Sequence, residues 1–264
     1  MKIDLTDKTA LITGSTAGIG LAIAKGLAAS GAKVVVNGRK QATVDKGVAA
    51  VHDSVKAAAV SGVAADVSTA EGCDALVKAV PAVDILINNA GIFEPKPFFE
   101  IPDADWTRFF EANVMSGVRL SRAYLPGMLE RNWGRIVFIS SESAVNIPVE
   151  MIQYGFTKTA QLSIAQGLAQ LTVGTNVTVN SVLPGPTRSE GVEEFLKAMA
   201  DAAGKTPDEM AATFVQTHRP ASLIQRFASV EEVANMVIYV ASKEASATNG
   251  ASLRVEGGIL RTIG

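Results

Sequence analysis

Two side chains four residues apart have the chemistry of an acid–base pair. Tyr154 and Lys158, in the sequence YGFTK, lie in a predicted helix over residues 150–172. Because positions i and i+4 share one face of a helix, both side chains point the same way. A nearby ammonium favours a phenolate, so we expect Lys158 to lower the pKa of Tyr154 from its usual value of about 10. The pair suits proton donation to a ketone or proton removal from an alcohol, although this spacing alone is often only structural.

A glycine-rich turn, TGSTAGIG at residues 13–20, joins a predicted strand to a predicted helix. Glycines let the backbone turn tightly, and the free N–H groups of a helix N-terminus attract a phosphate. A tight turn without a ligand is the alternative. The turn predicts a pyrophosphate site formed by Gly14, Ser15, Thr16, Gly18, Ile19 and Gly20.

The end of the second predicted strand indicates which nicotinamide nucleotide fits. An acid at this position commonly binds the ribose 2′-hydroxyl of NAD. This chain has Asn37, Gly38 and Arg39 instead. A guanidinium pairs well with a 2′-phosphate, so NADP(H) is favoured and NAD(H) remains possible. A solvated surface role for Arg39 is the alternative.

Two further strand ends carry candidate cofactor residues. Asp66 and Val67 follow the third predicted strand, where an acid suits the adenine amino group. Asn88, Asn89, Ala90 and Gly91 end the fourth, and the alternative for the two asparagines is hydrogen bonding within the turn and along the strand edge. Open α/β sheets bind ligands at the carboxyl ends of their strands.

Short β-branched runs alternate with helical stretches and predict one doubly wound Rossmann domain over residues 1–264, with helices on both faces of a parallel sheet. Residues 188–219 are longer than a connection needs, and we expect them to form a helical substrate lid with helices near 190–203 and 207–217. The predicted strands lie near 9–13, 33–38, 60–66, 83–91, 134–141, 176–185 and 251–258, and the longer helices near 41–57, 69–79, 103–130, 150–172 and 229–241.

Composition excludes several classes of protein. The 264 residues are 48% hydrophobic and 19% charged, which suits a folded core. Lys and Arg number 24 against 26 Asp and Glu, so no basic excess indicates nucleic-acid binding. One cysteine, Cys73, excludes an internal disulfide and a cysteine-based zinc site, and two histidines, His52 and His218, are too few for most histidine-rich metal sites. No membrane span or secretory signal is evident, and we expect a cytoplasmic protein.

The glycine turn, the NNAG sequence, a serine 13 residues before the tyrosine, and YGFTK occur in this order. This combination resembles the short-chain dehydrogenase/reductase family, and its 3-oxoacyl-carrier-protein reductase branch in particular, from Thr9 to Gly258. The resemblance implies an NAD(P)H-dependent oxidoreductase that interconverts a carbonyl and a secondary alcohol, and a homotetramer or homodimer. The apolar residues of the two long helices suit such an interface or the core: Leu120, Tyr124, Leu125 and Met128, and Leu162, Ile164, Leu168 and Leu171.

The resemblance also implies roles for single residues. Tyr154 is the expected general acid/base, and Lys158 lowers its pKa and holds the nicotinamide ribose. Ser141 binds the substrate carbonyl oxygen, although Ser140 and Ser143 flank it. Asn113 holds a water that links Lys158 to solvent. The turn expected beside the nicotinamide carboxamide consists of Pro184, Gly185 and Thr187.

The substrate is not determined by these motifs. We favour a small neutral ketone, sugar or alcohol, because the lid has six acidic residues against four basic ones and suits an acidic carrier protein poorly. A 3-oxoacyl-thioester reductase is the alternative, and a non-catalytic cofactor sensor is the second alternative. We expect Glu142 to face solvent or pair with an arginine, and the alternative is that it faces the pocket, where it would disfavour anionic substrates. Arg188 suits either an acidic substrate group or anchoring of the lid, and His218 lies at the lid's end.

Overall fold

A sheet of parallel strands forms the centre of the protein. The structure, a computed structural model, describes residues 2–263, except for the side chain of Phe195. Within them the strands are β1 Thr9–Ile12, β2 Lys33–Gly38, β3 Val60–Ala64, β4 Ile85–Asn88, β5 Gly134–Ile139, β6 Val177–Pro184, β7 Thr187–Arg188, β8 Ala228–Ser229 and β9 Ser252–Val255.

The strand order confirms the predicted doubly wound Rossmann fold. Seven strands pair in the order β3-β2-β1-β4-β5-β6-β9, and every neighbouring pair is parallel. The order reverses between β1 and β4. In such sheets the ligand crevice opens beyond the carboxyl ends of the strands at this point, so the glycine turn after β1 and the asparagines of β4 meet there.

Both faces of the sheet are buried, as the unbroken apolar runs predict. Ala10 and Ile12 of β1 pack into one core, whereas Leu11 between them packs into the other. In β4, Ile87 and Leu86 divide between the two cores in the same way. This period of two follows from the pleat of a strand, and the two cores hold the sheet edge that carries the site.

Helices cover both faces. They are α1 Gly18–Ala29, α2 Gln41–Ser54, α3 Ala70–Ala79, α4 Asp103–Phe110, α5 Ser116–Glu130, α6 Ile152–Gln170, α7 Glu190–Ala203, α8 Pro207–His218 and α9 Val230–Val240. Ile23 of α1 and Val237 of α9 share one core, and Leu120 of α5 lies in the other. No helix among residues 2–263 is both long and apolar enough to cross a membrane.

The prediction of one continuous helix over 103–130 is wrong in one respect. A π-helical segment, Glu111–Met115, separates α4 from α5. Its wider turn appears in the bond from the Ser116 N–H to the Glu111 carbonyl, five residues back. The apolar period of the helices on each side continues through such a segment, so hydrophobic spacing does not detect it.

The apolar residues of α5 are core residues. Leu120, Tyr124, Leu125 and Met128 are buried against the sheet, which leaves them unavailable to a partner chain. In α6, Ile164 and Leu168 pack partly against the same core, and Leu171 is exposed.

Residues 188–219, called the insertion below, fold around a small core of their own. Helices α7 and α8 bury Leu196, Ala200, Met210 and Ala211 between them. Ser189 caps α7, and Thr206 and Glu209 form a capping box at the start of α8. These caps satisfy N–H groups that the first helical turn leaves unpaired, so each helix starts where its sequence predicts.

Candidate active site

The glycine turn has the backbone geometry of a phosphate cradle. Gly14 and Gly18 have φ values of +60° and +55°, a backbone conformation that residues other than glycine rarely adopt. A Cβ on Gly14 would lie 3.0 Å from the Cα of Ala90, and one on Gly20 would lie 2.6 Å from Nδ2 of Asn89. The turn can therefore pack this closely against the end of β4 only with glycines at these positions, and it leads directly into the N-terminus of α1.

Some side chains predicted to bind the cofactor hold the turn itself. Ser15 is buried, and its Oγ donates to the Ile12 carbonyl and accepts from the Asn37 N–H. The Asn89 Nδ2 donates to the carbonyls of Thr13 and Gly14 at 2.9 Å each. The Ala90 N–H bonds to Thr13 Oγ1. These bonds tie β1 to β4 and fix the position of the cradle, which is a positioning role.

The residues expected to distinguish the nucleotides lie at the same sheet edge. Arg39 is exposed just beyond β2, and within the described part of the chain no carboxylate pairs with it. A Cβ on Gly38 beside it would lie 2.6 Å from Thr16, so the end of β2 lies against the turn. Asp66 accepts from the N–H and hydroxyl of Ser68 through Oδ1 alone, and Val67 is buried. Arg39, like its exposed neighbour Lys40, thus has no ion-pair partner among the described residues.

The predicted catalytic tyrosine and serine come together. Tyr154 lies in the first turn of α6, and its hydroxyl is within hydrogen-bonding reach of Ser141. Burial raises the pKa of Tyr154 to about 12, against the opposing effect of the Ser141 hydrogen bond. The expectation of a lowered pKa is not met, because desolvation outweighs the favourable contacts in this arrangement.

Among the three neighbouring serines, only Ser141 is directed at Tyr154. The Ser140 hydroxyl donates to the Lys158 carbonyl at 2.9 Å, and Ser143 Oγ donates to Glu142 Oε1 at 3.3 Å. Ser141 Oγ accepts the Ser143 N–H at 3.1 Å, which leaves its proton free to donate into the cavity. The loop after β5 thus assigns each serine a separate partner.

Lys158 lies one turn further along α6, on the same face as Tyr154. Its Nζ lies 5.5 Å from the centre of the tyrosine ring and donates to the Ile139 carbonyl at 2.9 Å. The residue is only 4% exposed, and burial lowers the pKa of its ammonium to about 7. The side chains share a face as predicted, but the ammonium is directed at the end of β5.

Asn113 lies in the π-helical segment and holds three structural elements together. Its Nδ2 donates to the Ile92 carbonyl and to Thr157 Oγ1, and its Oδ1 accepts the Ile92 N–H at 2.7 Å. Its main-chain carbonyl accepts from Nε2 of Gln161 at 2.6 Å. Sequence reasoning did not single out Gln161, because a glutamine in a helix carries no motif.

Glu142 is in the cavity wall next to Ser141 and is paired with an arginine. It is 3% exposed, so the expectation of a solvent position is wrong, whereas the expectation of an arginine partner is confirmed. Arg219, just after α8, lies 3.0 Å from Glu142 Oε1 and 3.4 Å from Glu150 Oε1. Glu142 Oε2 is buried and has no hydrogen-bond partner among the described residues. Burial raises the pKa of Glu142, although Arg219 opposes the shift.

The insertion contacts the site at two further places, through Glu190 and His218, and Arg188 joins its two helices. Arg188 pairs with Glu193 and, at 2.6 Å, with Asp208, so it holds α7 to α8. Glu190 Oε2 accepts the Gly18 N–H at 2.6 Å, where the glycine cradle opens. His218 lines the cavity and lies against the ring of Phe214. Neither Glu190 nor Arg219 was singled out, since their partners are distant in sequence.

The turn after β6 closes one end of the site. A Cβ on Gly185 would lie 2.8 Å from the Glu256 backbone, so the turn packs directly on the loop after β9. Thr187 Oγ1 donates to the Gly185 carbonyl. Together with Pro184, these residues line a cavity of about 550 Å³ that also contains Ser141, Glu142, Tyr154, Lys158 and Gly91. The cavity brings the cradle, the acid–base pair and the insertion together.

Comparisons with known proteins agree with this geometry. The sequence model of the family described as short chain dehydrogenase matches residues 8–200. Uncharacterized oxidoreductase YvaG of Bacillus subtilis is 49% identical, and the match covers 100% of both chains. The 3-oxoacyl-[acyl-carrier-protein] reductase FabG of Aquifex aeolicus is 32% identical, with 98% of this chain and 100% of that protein covered. The crystal structure of L-sorbose reductase from Gluconobacter frateurii, complexed with NADPH and L-sorbose, superposes with a TM-score of 0.94 at 33% identity over 100% of both chains.

Proposed function

The chain belongs to the short-chain dehydrogenase/reductase family, and we propose that it reduces a small, neutral polyhydroxy ketone with NADPH. It is an oxidoreductase that interconverts a carbonyl and a secondary alcohol. The observation that carries the substrate class is the buried, unpartnered Oε2 of Glu142 in the cavity wall beside Ser141. An unpaired buried oxygen is costly unless a ligand donates to it, and a substrate hydroxyl next to the carbonyl is such a donor.

The charged side chains in the cavity wall favour a neutral substrate. Glu142 and Glu150 both line the cavity, and Arg219 is shared between them. A carboxylate on the substrate would meet the free oxygen of Glu142 at close range, which is unfavourable between like charges. The similarity to L-sorbose reductase supports the same class, since that protein's structure contains a keto sugar.

The free guanidinium of Arg39 supports a preference for NADPH over NADH, because it offers a charge-assisted partner to a 2′-phosphate. The glycine turn supports a pyrophosphate site, since its positive-φ backbone begins α1 and the Gly18 N–H already donates to an anionic partner, the Glu190 carboxylate. Glycines 14, 18 and 20 with Ile19 would hold the pyrophosphate, Asp66 the adenine, and Gly91, Pro184, Gly185 and Thr187 the nicotinamide. When bound, the cofactor supplies the hydride.

The acid–base chemistry falls to the side chains at the end of β5 and the start of α6. We assign Ser141 and Tyr154 as hydrogen-bond donors to the substrate carbonyl oxygen. The pKa of about 12 keeps the Tyr154 phenol protonated at neutral pH, ready to donate its proton to the developing alkoxide. Lys158, in its charged form, stabilises the phenolate that remains. Asn113 acts as a positioning residue, because it ties Thr157 of α6 to the loop after β4.

On this proposal, the insertion acts as a lid over the cavity. Arg219 brings its far end against Glu142, and Glu190 brings its near end against the glycine cradle. Closure would exclude water from the reacting carbonyl, as lids of this kind do.

We also infer that copies of the chain associate. Phe156 of α6 is 44% exposed and contacts the rings of Trp106 and Phe110 from α4. These three rings, and not the buried residues of α5, are the apolar surface that a homodimer or homotetramer would cover. Light scattering of the purified protein determines the stoichiometry, and Phe156→Glu is expected to lower it.

The test of the substrate class is a panel of carbonyl compounds with NADPH and, separately, NADH. The panel holds L-sorbose, an alkyl ketone of equal chain length, the corresponding keto acid, and an acetoacetyl thioester. We expect NADPH consumption with the keto sugar, and loss of ~10²–10⁴-fold in rate for Tyr154→Phe. Turnover of the thioester alone would favour the 3-oxoacyl reductase instead.

Two variants separate the parts of the proposal. Glu142→Gln is expected to lower kcat/KM for the keto sugar by ~10-fold or more, but to change the alkyl ketone little, because only the sugar donates to Oε2. Arg39→Ala is expected to abolish the preference for NADPH, whereas Lys40→Ala, an exposed neighbour, serves as its control. An equal loss on both ketones would contradict the role of Glu142.

A further inference from the structure

Gln161 occupies the space between the two residues expected to share a water. Its Nε2 donates to the Asn113 main-chain carbonyl at 2.6 Å, and its Oε1 accepts from Lys158 Nζ at 3.4 Å. The side chain is 1% exposed, so both contacts form in the interior. Gln161 therefore bridges the main-chain carbonyl of Asn113 and the ammonium of Lys158 through its carboxamide.

The local backbone explains why the glutamine reaches both partners. Gln161 follows Lys158 by three residues on α6, and positions i and i+3 share a face. The π-helical turn takes the backbone around Asn113 out of ordinary helical register, and its carbonyl accepts a side-chain donor from α6. A glutamine has the length and the two-ended polarity that this gap requires.

We propose that Gln161 is a positioning residue that fixes the Lys158 ammonium against the end of β5 and ties it to the π-helical segment. Its carboxamide carries no proton that it readily releases and no second acceptor on nitrogen, so it does not transfer protons as a water would. The glutamine thus sets the position and the charge of Lys158 and leaves proton delivery to other groups.

The groups that face Lys158 define what a change at Gln161 does. They are the Ile139 carbonyl from β5, the Tyr154 ring from the preceding turn, and Gln161 itself, with Gly91 and Asn113 Oδ1 beside them. The carbonyl and the carboxamide oxygen are the two acceptors that stabilise the ammonium. Removing one disfavours the charged form, and replacing it with a carboxylate favours it.

The two variants Gln161→Met and Gln161→Glu therefore shift Lys158 in opposite directions. We expect the pH at which Lys158 loses its proton to fall by about one unit in Gln161→Met and to rise by about one unit in Gln161→Glu. A role in packing alone moves neither titration, because methionine and glutamate both fill the space of glutamine.

The measurement is a carbon-13 NMR titration of lysine-labelled protein, with the Lys158 signal identified by its absence in Lys158→Met. It needs neither cofactor nor substrate, so its outcome is distinguishable from failure of the proposed function. Gln166→Met and Gln166→Glu, exposed changes on the same helix, are the matched controls. Shifts in the same direction for both Gln161 variants, or none, would overturn the proposal.

The expected effect of the Gln161 variants on catalysis rests on the proposed function. With a ketone that the wild-type protein reduces, we expect the alkaline limit of kcat/KM to move down in Gln161→Met and up in Gln161→Glu. Unchanged limits despite shifted NMR titrations would show that the charge of Lys158 does not control the reaction and would overturn the catalytic part.

Discussion

The two walls of the cavity are held in different ways. On the sheet side, buried hydrogen bonds fix the side chains: Lys158 bonds to the Ile139 carbonyl, and Asn113 bonds to Ile92 and Thr157. On the insertion side, most of the contacts that fix the side chains are ion pairs. Arg188 with Asp208 is exposed, and Arg219 with Glu142 is largely buried.

The difference follows from what each wall has to do. Buried hydrogen bonds keep a fixed geometry and are little affected by salt, which suits the acid–base groups. Exposed ion pairs contribute about 0–1 kcal/mol each and are screened by salt. On the proposed lid function, the insertion opens at its Glu190 end, where the contact is exposed, while the buried Arg219–Glu142 pair keeps its far end on the sheet edge, which stays in place.

The largest effect expected from this comparison concerns Lys158 on the sheet side of the cavity. Removing its buried charge is expected to increase the free energy of unfolding. Burial lowers the pKa of Lys158 to about 7 from an ordinary value of about 10.5. The unfolded chain keeps that proton up to about pH 10.5, whereas the folded chain releases it above about pH 7. Folding is therefore penalised most below pH 7, and the penalty declines as the pH rises towards 10.5.

Lys158→Met removes this penalty and the activity together. We expect the free energy of unfolding without cofactor to rise by ~2–4 kcal/mol at pH 6.5, after allowance for the Ile139 carbonyl left unpaired, and the gain to shrink at about pH 9.5. Urea unfolding at both pH values measures it, with exposed Lys46→Met as the control. A gain independent of pH would mean that packing, and not charge, is responsible.

Sequence reasoning predicted the residues on the sheet side of the cavity better than those on the insertion side. The fold followed from the alternation of buried strands and helices, and Tyr154 with Lys158 from their helical spacing, whereas Ser141 and Asn113 followed from the resemblance to the family. Arg219 and Glu142 are 77 residues apart in sequence, and no local pattern couples them. The same holds for Gln161 with Asn113, because their contact depends on a π-helical turn that leaves the hydrophobic period unchanged.

A smaller effect is expected at the pair that joins the two walls. Arg219→Met leaves the Glu142 carboxylate buried without its cation, so its pKa, already raised by burial, rises further. We expect KM for the keto sugar to increase about tenfold, and the acidic fall in kcat/KM to begin at a higher pH than in the wild-type protein, because protonated Glu142 no longer accepts at that oxygen.

Steady-state kinetics across pH, at constant ionic strength, tests the pair. Arg226→Met is the matched control, because Arg226 pairs with Glu232 at the surface at 2.8 Å. Similar changes in both variants would show that the loss of either arginine has this effect. The Arg219–Glu142 pair would then not distinguish the two walls.

The smallest effect concerns the contact between the insertion and the glycine cradle. Glu190 Oε2 accepts the Gly18 N–H at the N-terminus of α1, the place that the pyrophosphate needs. If the turn holds the pyrophosphate as we propose, a bound dinucleotide and the Glu190 carboxylate compete for the same N–H group. Glu190→Gln weakens the competitor by removing its charge, so we expect NADPH to bind about two- to fivefold more tightly.

Fluorescence titration with NADPH at low and high salt measures this change. Glu194→Gln, one turn further along α7 and exposed, alters the net charge equally without touching the cradle. If both variants tighten binding alike, long-range charge explains the effect. If only Glu190→Gln does, the insertion acts as a displaceable cover whose carboxylate occupies the anion site until the cofactor arrives, while the acid–base wall beneath it keeps the same geometry in both states.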